Sequence, residues 1–433
     1  MSDWRTVLFG AGLTLAIGCI DAEAPHGPPF RAYVIDQIAV DPQTGKGEFA
    51  VAARDLEHLT RLTSLEGPLY RILRGGQLKA RILGGSIVLD GSFSEGAPPE
   101  LRYRLEAGKI VARDYSTLAM LSAARQFERV FDALDRYGPY SADQLVAGIG
   151  RPNIYFEPTI EISGSVSATA IQKFNAFFEP RGGDFGLARR SSAEDVPLAG
   201  DVKVIAHEVG HAVFFMAFDA AHYERCQNDA HNRTQPWFPG RLDYEYAMRG
   251  LNEGFADWHA FSITGSVNPL ANQSAVRRPR NLRLGSYVWR DLEPGIPANE
   301  GEDTDPPAPC IGGFYCIGTL FAHALYATYV TLGNDPGEAE QRAAFTGEIV
   351  AALEHTKNTL QERGRLPDAD ASAAACKTRD EFDAGQDAAV VGAFFDALLA
   401  NLDTVLRMPL CAALIDTFGA RGFAEEYRGE CAP

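Results

Sequence analysis

Along the chain, apolar residues recur first at strand spacing and later at helical spacing, which predicts an α+β protein. From residue 30 to 113, short apolar runs such as Arg31-Ala32-Tyr33-Val34-Ile35, Leu69-Tyr70-Arg71-Ile72-Leu73 and Ile87-Val88-Leu89 alternate with turn residues, among them Asp41-Pro42-Gln43-Thr44-Gly45. Runs of that length, split by Gly and Pro, predict a small antiparallel β domain, with His58 exposed on a loop or helix. The period changes at Asp114: residues 115–137 predict a long amphipathic helix, closed by Gly138 and Pro139. A strand follows at Asn153–Phe156, then a strand pair at 175–180 and 185–188 around Gly182-Gly183. Further on, Val202, Ile205, Ala206, Val209, Ala212, Val213, Met216 and Ala217 mark a buried helix, with Asp201 placed to cap it. The last third predicts helices at 314–332, 336–363, 378–407 and 409–425.

The buried helix carries candidate chemistry. Its centre reads His207-Glu208-Val209-Gly210-His211, an H-E-x-x-H motif. Residues four apart lie on one side of a helix, so both imidazoles can bind one zinc ion, Zn2+, with Glu208 beside them to reach a metal-activated water. The bare motif also arises by chance on core helices. A second amphipathic segment, Leu251-Asn252-Glu253-Gly254-Phe255-Ala256-Asp257-Trp258, changes the picture, because Glu253 and Asp257 share one of its faces. A buried carboxylate needs a metal or a cation. Glu253 can be the third ligand, leaving a fourth position open as a catalytic site requires, and Asp257 can fix a ligand histidine from behind.

These residues resemble those of the gluzincin zinc metallopeptidases, nearest to the thermolysin and fungalysin types. The resemblance rests on the H-E-x-x-H motif, the Asn252-Glu253-Gly254-x-x-Asp257 element, Asn175-Ala176-Phe177-Phe178, and Gly312 to Tyr326. It implies His207, His211 and Glu253 as zinc ligands, Glu208 as general base, and Asp257 as the orienter of His207. Asn175 and Ala176 resemble edge-strand positions that hold the substrate backbone, an edge being suited to that by its unpaired N–H and C=O groups. The implied fold has a β-rich pro- or accessory domain at 30–113, a mixed α/β upper lobe at 114–265 carrying the zinc helix, and a mainly helical lower lobe at 266–433. The implied activity is peptide-bond hydrolysis, as an endopeptidase. The chain departs from the family twice. The 41 residues between His211 and Glu253 exceed the usual gap and imply an inserted loop. Where the family places a transition-state histidine, Tyr315 stands in Gly313-Phe314-Tyr315-Cys316, and a phenol can donate the same hydrogen bond to an oxyanion. His231 and His323 are rivals for that role, His323 lying in a core-type helical pattern, while His222 and His259 read as structural or exposed.

Length, charge and cysteines add context. A chain of 433 residues can bury two or three domains. A net charge of −17 disfavours nucleic acid and anionic membrane surfaces as partners; a protein or peptide substrate is what the peptidase resemblance implies. Residues 1–19 read as an export signal ending in Ala16-Ile17-Gly18-Cys19, which resembles a lipobox with Cys19 lipidated; a plain signal peptide or an uncleaved anchor is the alternative. Residues 20–29 make a Pro-rich tether, and Ile20 after the cysteine favours an outer-membrane lipoprotein by the same resemblance, so membrane contact would be through the lipid alone. The other six cysteines form an even set that suggests three disulfides, Cys310 with Cys316 and Cys376 with Cys411 being local possibilities. The acidic run Glu300, Glu302, Asp303 and Asp305 has ligand chemistry for Ca2+ but no EF-hand pattern, and a solvated loop explains it more simply. Two other functions stay open on sequence: a surface-anchored binding or adhesion lipoprotein with a degenerate peptidase fold, and a hydrolase of a non-peptide amide.

Overall fold

The computed structural model describes residues 27–41, 44–83, 86–89, 94, 96–163, 176–180, 182–188, 196–218, 244–273, 280–283, 287–289, 308–310, 314–362, 387–418 and 431. The fold is mixed α+β. In chain order the first half contains β1 (Phe30–Val40), β2 (Gly47–Leu56), β3 (Arg71–Arg74), β4 (Gln77–Leu83), β5 (Ser86–Leu89), β6 (Tyr103–Glu106), β7 (Lys109–Ala112), α1 (Tyr115–Tyr137), α2 (Ala142–Ile149), β8 (Asn153–Phe156), β9 (Thr159–Ser163), β10 (Ala176–Glu179) and β11 (Asp184–Leu187). There follow α3 (Val202–Phe218), α4 (Tyr244–Thr264), β12 (Tyr287–Trp289), β13 (Ala308–Cys310), α5 (Phe314–Thr331), α6 (Ala339–Glu362), α7 (Asp387–Ala400) and α8 (Thr404–Phe418).

The strands before residue 113 do not form an antiparallel unit of their own, which corrects the sequence expectation. One sheet runs β2-β1-β7-β6, with β1 and β7 parallel; a second runs β10-β11-β8-β3; a third runs β5-β4-β9. Thus β3 pairs in parallel with β8, from Arg71↔Asn153 to Arg74↔Phe156, and β4 with β9, from Gln77↔Thr159 to Arg81↔Ser163. Parallel pairing needs a long crossover, and the chain between β4 and β8, which includes α1, supplies it. The hydrogen bonding therefore crosses the boundary expected at 113/114. His58 is half-buried rather than exposed, its Nε2 lying 2.8 Å from Asp132 Oδ1 on α1.

Helix α1 begins where Asp114 Oδ1 accepts the Thr117 N–H at 2.8 Å and ends at Gly138, as its sequence predicts. Its buried face, with Met120, Phe127, Phe131 and Leu134, is continuous with a core that takes in β1, the β8–β11 sheet and helices α3 to α8. The strand pair around Gly182-Gly183 forms as expected, with Phe177↔Gly186 and Phe178↔Phe185 in register. At the C-terminal end, Pro409 does not separate two helices. The break comes at Asn401–Asp403, because Asp403 Oδ1 accepts the Leu406 N–H at 3.0 Å and starts α8 there, with Pro409 inside it. Cys411 is bonded to Cys431, with Cα atoms 5.7 Å apart, which corrects the Cys376–Cys411 pairing. Among the described residues, no helix is long and apolar enough to cross a membrane.

Residues 1–26, which hold Cys19 and the lipobox, lie outside the described residues, as do Asn175, His222, Cys226, His231, Cys376 and the acidic run at 300–305.

Candidate metal centre

The centre sits where α3, α4 and α5 cross. Asp201 Oδ1 accepts the Lys203 N–H at 3.1 Å, so α3 is capped where the sequence placed its start. The helix is buried almost all round, with Val202, Ile205, Ala206, Val209, Ala212 and Val213 in the core. Two close approaches bring its neighbours in. A Cβ on Gly210 would lie 2.9 Å from Ala256 Cα and His259 Cβ of α4, and one on Gly318 of α5 would lie 2.9 Å from Glu253 Cβ. Only glycine permits contacts that tight, and they let a side chain as short as glutamate reach from α4 to the imidazoles of α3.

His207 and His211 have ring centroids 4.7 Å apart and nearly perpendicular planes, at 83°. Each ring is held on its Nδ1 side. His207 Nδ1 lies 2.9 Å from Asp257 Oδ1, at ion-pair distance although its N–H approach is bent, and His211 Nδ1 donates to Asn252 Oδ1 at 2.9 Å. The Nε2 atoms thereby face one carboxylate: His207 Nε2 is 3.4 Å from Glu253 Oε2, and His211 Nε2 is 3.9 Å from Glu253 Oε1. Ligand atoms around a tetrahedral zinc ion sit about 3.3 Å from one another, given bonds of about 2.0 Å. The donor set His207, His211 and Glu253 fits such an ion. Glu208 is also close, since its carboxylate and the two imidazoles have donor atoms all within 4.8 Å of one another. Of the two carboxylates, Glu253 is the better third ligand, because its two oxygens approach both Nε2 atoms; Glu208 is left beside the open side.

The charges are balanced by a residue that sequence reasoning missed. Arg280 Nη1 lies 2.9 Å from Glu253 Oε2 and 3.2 Å from Asp257 Oδ1, and its side chain is buried. Burial raises the Glu253 pKa, but the Arg280 guanidinium and then the two histidines outweigh it and hold the carboxyl well below its ordinary range. Burial pulls the His207 pKa down, yet the contacts with Asp257 and Glu253 raise it to about 10. A ligand imidazole must be neutral, so metal affinity here is coupled to pH.

No protein-family model matches the chain, and no curated protein does. Among solved structures it is similar to the precursor of protealysin, a metalloproteinase from Serratia proteamaculans. The TM-score is 0.35 at 11% identity, covering 80% of this chain and 88% of that one.

The described structure brings together His207, Glu208, His211, Glu253 and Asp257, five of the residues singled out in the sequence. Ala176 opens β10, the edge strand of the β10-β11-β8-β3 sheet, which packs against α3. Tyr315 lies in the first turn of α5, and its side chain is outside the described residues. His323 is half-buried and its Nδ1 donates to Leu282 O at 2.5 Å, so it holds the turn that follows Arg280. His259 is buried and structural, its Nδ1 donating to Ala206 O at 2.7 Å. Asn252 stood in the quoted motif without a role. A signal for Arg280 was present in the need of two buried carboxylates for a cation, but four arginines crowd residues 277–283 and spacing does not choose among them.

Proposed function

We propose that this chain is a zinc-dependent peptidase of gluzincin type. The reading rests on one observation: two imidazoles anchored through Nδ1 present both Nε2 atoms to the Glu253 carboxylate, at 3.4 and 3.9 Å. His207, His211 and Glu253 would hold the ion. Zinc bound there would supply Lewis acidity, lowering the pKa of water and polarising a carbonyl. Glu208 takes a proton from the attacking water and hands it to the leaving amine. Asp257 and Asn252 keep the two rings in place, and Arg280 offsets the carboxylates behind them. Tyr315 is proposed to donate to the oxyanion, and Asn175 and Ala176 to hold the substrate backbone along the edge of β10. The substrate is a protein or peptide, cut internally. The lobe arrangement belongs to the same reading: a mixed α/β part up to residue 265 and a helical part after it meet at the site.

Export and anchoring through Cys19 are part of the proposal, supported by the signal-like N-terminus and by the Cys411–Cys431 disulfide, which suits an oxidising compartment.

The deciding experiment is Glu208→Gln on zinc-loaded protein with a peptide library as substrate. Bound zinc should stay stoichiometric while hydrolysis falls by about 10²–10⁴-fold. Zinc binding with no cleavage by the unaltered protein would favour a binding protein, and cleavage confined to non-peptide amides would reassign the substrate class. Mass of the envelope-derived protein, with or without a diacylglyceryl group on Cys19, tests the anchor.

A further inference from the structure

The tip of the β1–β2 hairpin grips the metal-bearing helix by its first turn. Gly45 is buried there with φ +70°, and a Cβ on it would lie 2.9 Å from Asn268 Cβ, Asn268 N and Ser266 Oγ. Its carbonyl accepts from Ser266 Oγ at 3.0 Å and from Lys203 Nζ at 2.9 Å. Asn272 completes the contact: Oδ1 accepts the Gly47 N–H at 2.9 Å, Nδ2 donates to Gly47 O at 3.1 Å, and Lys203 Nζ donates to the same Oδ1 at 2.5 Å. Lys203 stands one turn before His207 and is fully buried at 0% exposure. A buried ammonium is unfavourable unless its protons are accepted. Two acceptors come from the hairpin side and from the turn after α4, and the Asp201 carboxylate adds attraction against the burial that pulls the lysine pKa down.

We propose that residues 30–113 are a resident part of the catalytic unit, clasped to the metal-bearing helix through Lys203, and are not a leader whose removal activates the chain. Four other attachments agree. Strands β3 and β4 hydrogen-bond β8 and β9, Ser122 Oγ accepts the Ile35 N–H at 2.9 Å, and Gln126 Nε2 donates to Ile35 O at 2.9 Å. Removing 30–113 would delete the β2-β1-β7-β6 sheet, take β3 from beside β8 and both β4 and β5 from beside β9, and leave the Lys203 ammonium without its Gly45 acceptor.

The word catalytic rests on the peptidase reading; the clasp does not. Zinc-loaded full-length protein is incubated until its mass is constant, then examined by native mass, N-terminal sequencing and peptide cleavage. The active species should retain Phe30 onward. An active species from which residues 30–113 have been lost would overturn the proposal. A zinc-binding, protease-resistant species that keeps the hairpin but cleaves nothing would support the clasp and remove the peptidase reading instead. In Lys203→Met, amide exchange at Gly47 should quicken at least about tenfold while α6 stays unchanged. Unchanged exchange at Gly47 would overturn the clasp. If that variant does not fold, Asn272→Ala, which leaves the ammonium its Gly45 acceptor, is read by protease cleavage of the hairpin tip: faster cleavage supports the clasp and an unchanged rate overturns it.

Discussion

The first turn of α3 and its second turn each bury a titratable cationic side chain, and they treat it in opposite ways. At Lys203 the ammonium is taken up by neutral acceptors, Gly45 O and Asn272 Oδ1, and burial dominates, so its pKa falls. At His207 the imidazole faces Asp257 and Glu253, carboxylates dominate, and its pKa rises to about 10. The first arrangement gives the ammonium two fixed acceptors, one backbone carbonyl and one amide oxygen, and serves structure. The second leaves an Nε2 pointing at a partner that a metal ion can share, with Arg280 offsetting the surplus negative charge. Burial alone does not mark a functional group; the kind of partner does.

Arg280→Met gives the largest expected effect on that contrast. It leaves Glu253 and Asp257 without their shared guanidinium, and breaking a buried charge pair typically costs about 3–5 kcal/mol. In metal-free protein the denaturant midpoint should drop accordingly. With zinc saturating, the loss should shrink, because a divalent cation takes over the compensation. Lys203→Met should show the same loss in both states, since its acceptors, Gly45 O and Asn272 Oδ1, belong to none of His207, His211 and Glu253. Equal losses for Arg280→Met with and without zinc would reduce Arg280 to packing.

Next come the two ring anchors. Removing the group behind a metal-ligating histidine commonly weakens metal affinity about 10–100-fold. Asp257→Asn should lie at the upper end, because Asp257 is wholly buried and charged against His207. Asn252→Ala should lie at the lower end, because the Asn252 amide is neutral and the His211 side chain, 13% exposed, leaves room for water to replace it. Chelator competition ranks them, and the reverse order would mean that His211 carries the tighter constraint.

The candidate metal site was legible because its information is local. His207, Glu208 and His211 share one helical turn, and Glu253 and Asp257 one turn of another, so periodicity places each pair on a face without any tertiary knowledge. The helix α1 and the β10–β11 hairpin were legible for the same reason, through Asp114, Gly138 and Gly182-Gly183. What failed was non-local. No pattern within residues 69–83 distinguishes a strand that pairs with its neighbour from one that pairs in parallel with a strand about eighty residues later. Arg280 and the Lys203 clasp were hidden likewise, since each is defined by partners on segments far away in sequence. The boundary expected between 407 and 409 falls instead at Asn401–Asp403, because the Asp403 side chain starts the last helix there and Pro409 lies inside it.

The smallest effect at neutral pH concerns His259, which joins α4 to α3 beside the site. Its Nδ1 donates to the carbonyl of Ala206, the residue before His207, while its Nε2 is buried with no hydrogen-bond partner among the described residues. Burial pushes its pKa down to about 4; the Ala206 carbonyl opposes this, and the nearby charges of His207 and His211 add to it. A histidine ordinarily titrates near 6.5, so the folded state requires the neutral ring while the unfolded chain takes up a proton first. The stability from the neutral ring is whole above about pH 6.5 and is lost as pH falls toward 4, reaching a loss of about 2 kcal/mol by pH 5. His259→Gln keeps a donor for Ala206 O and cannot be protonated. Urea midpoints of the metal-free protein and this variant should differ by a constant amount above pH 7 and converge as the pH drops to 5. Acid-sensitive groups remote from His259 are common to both proteins and cancel in the difference. Parallel curves down to pH 5 would mean that the His259 ring already reaches water, and that the α3–α4 contact at Gly210 is looser than its 2.9 Å approach implies.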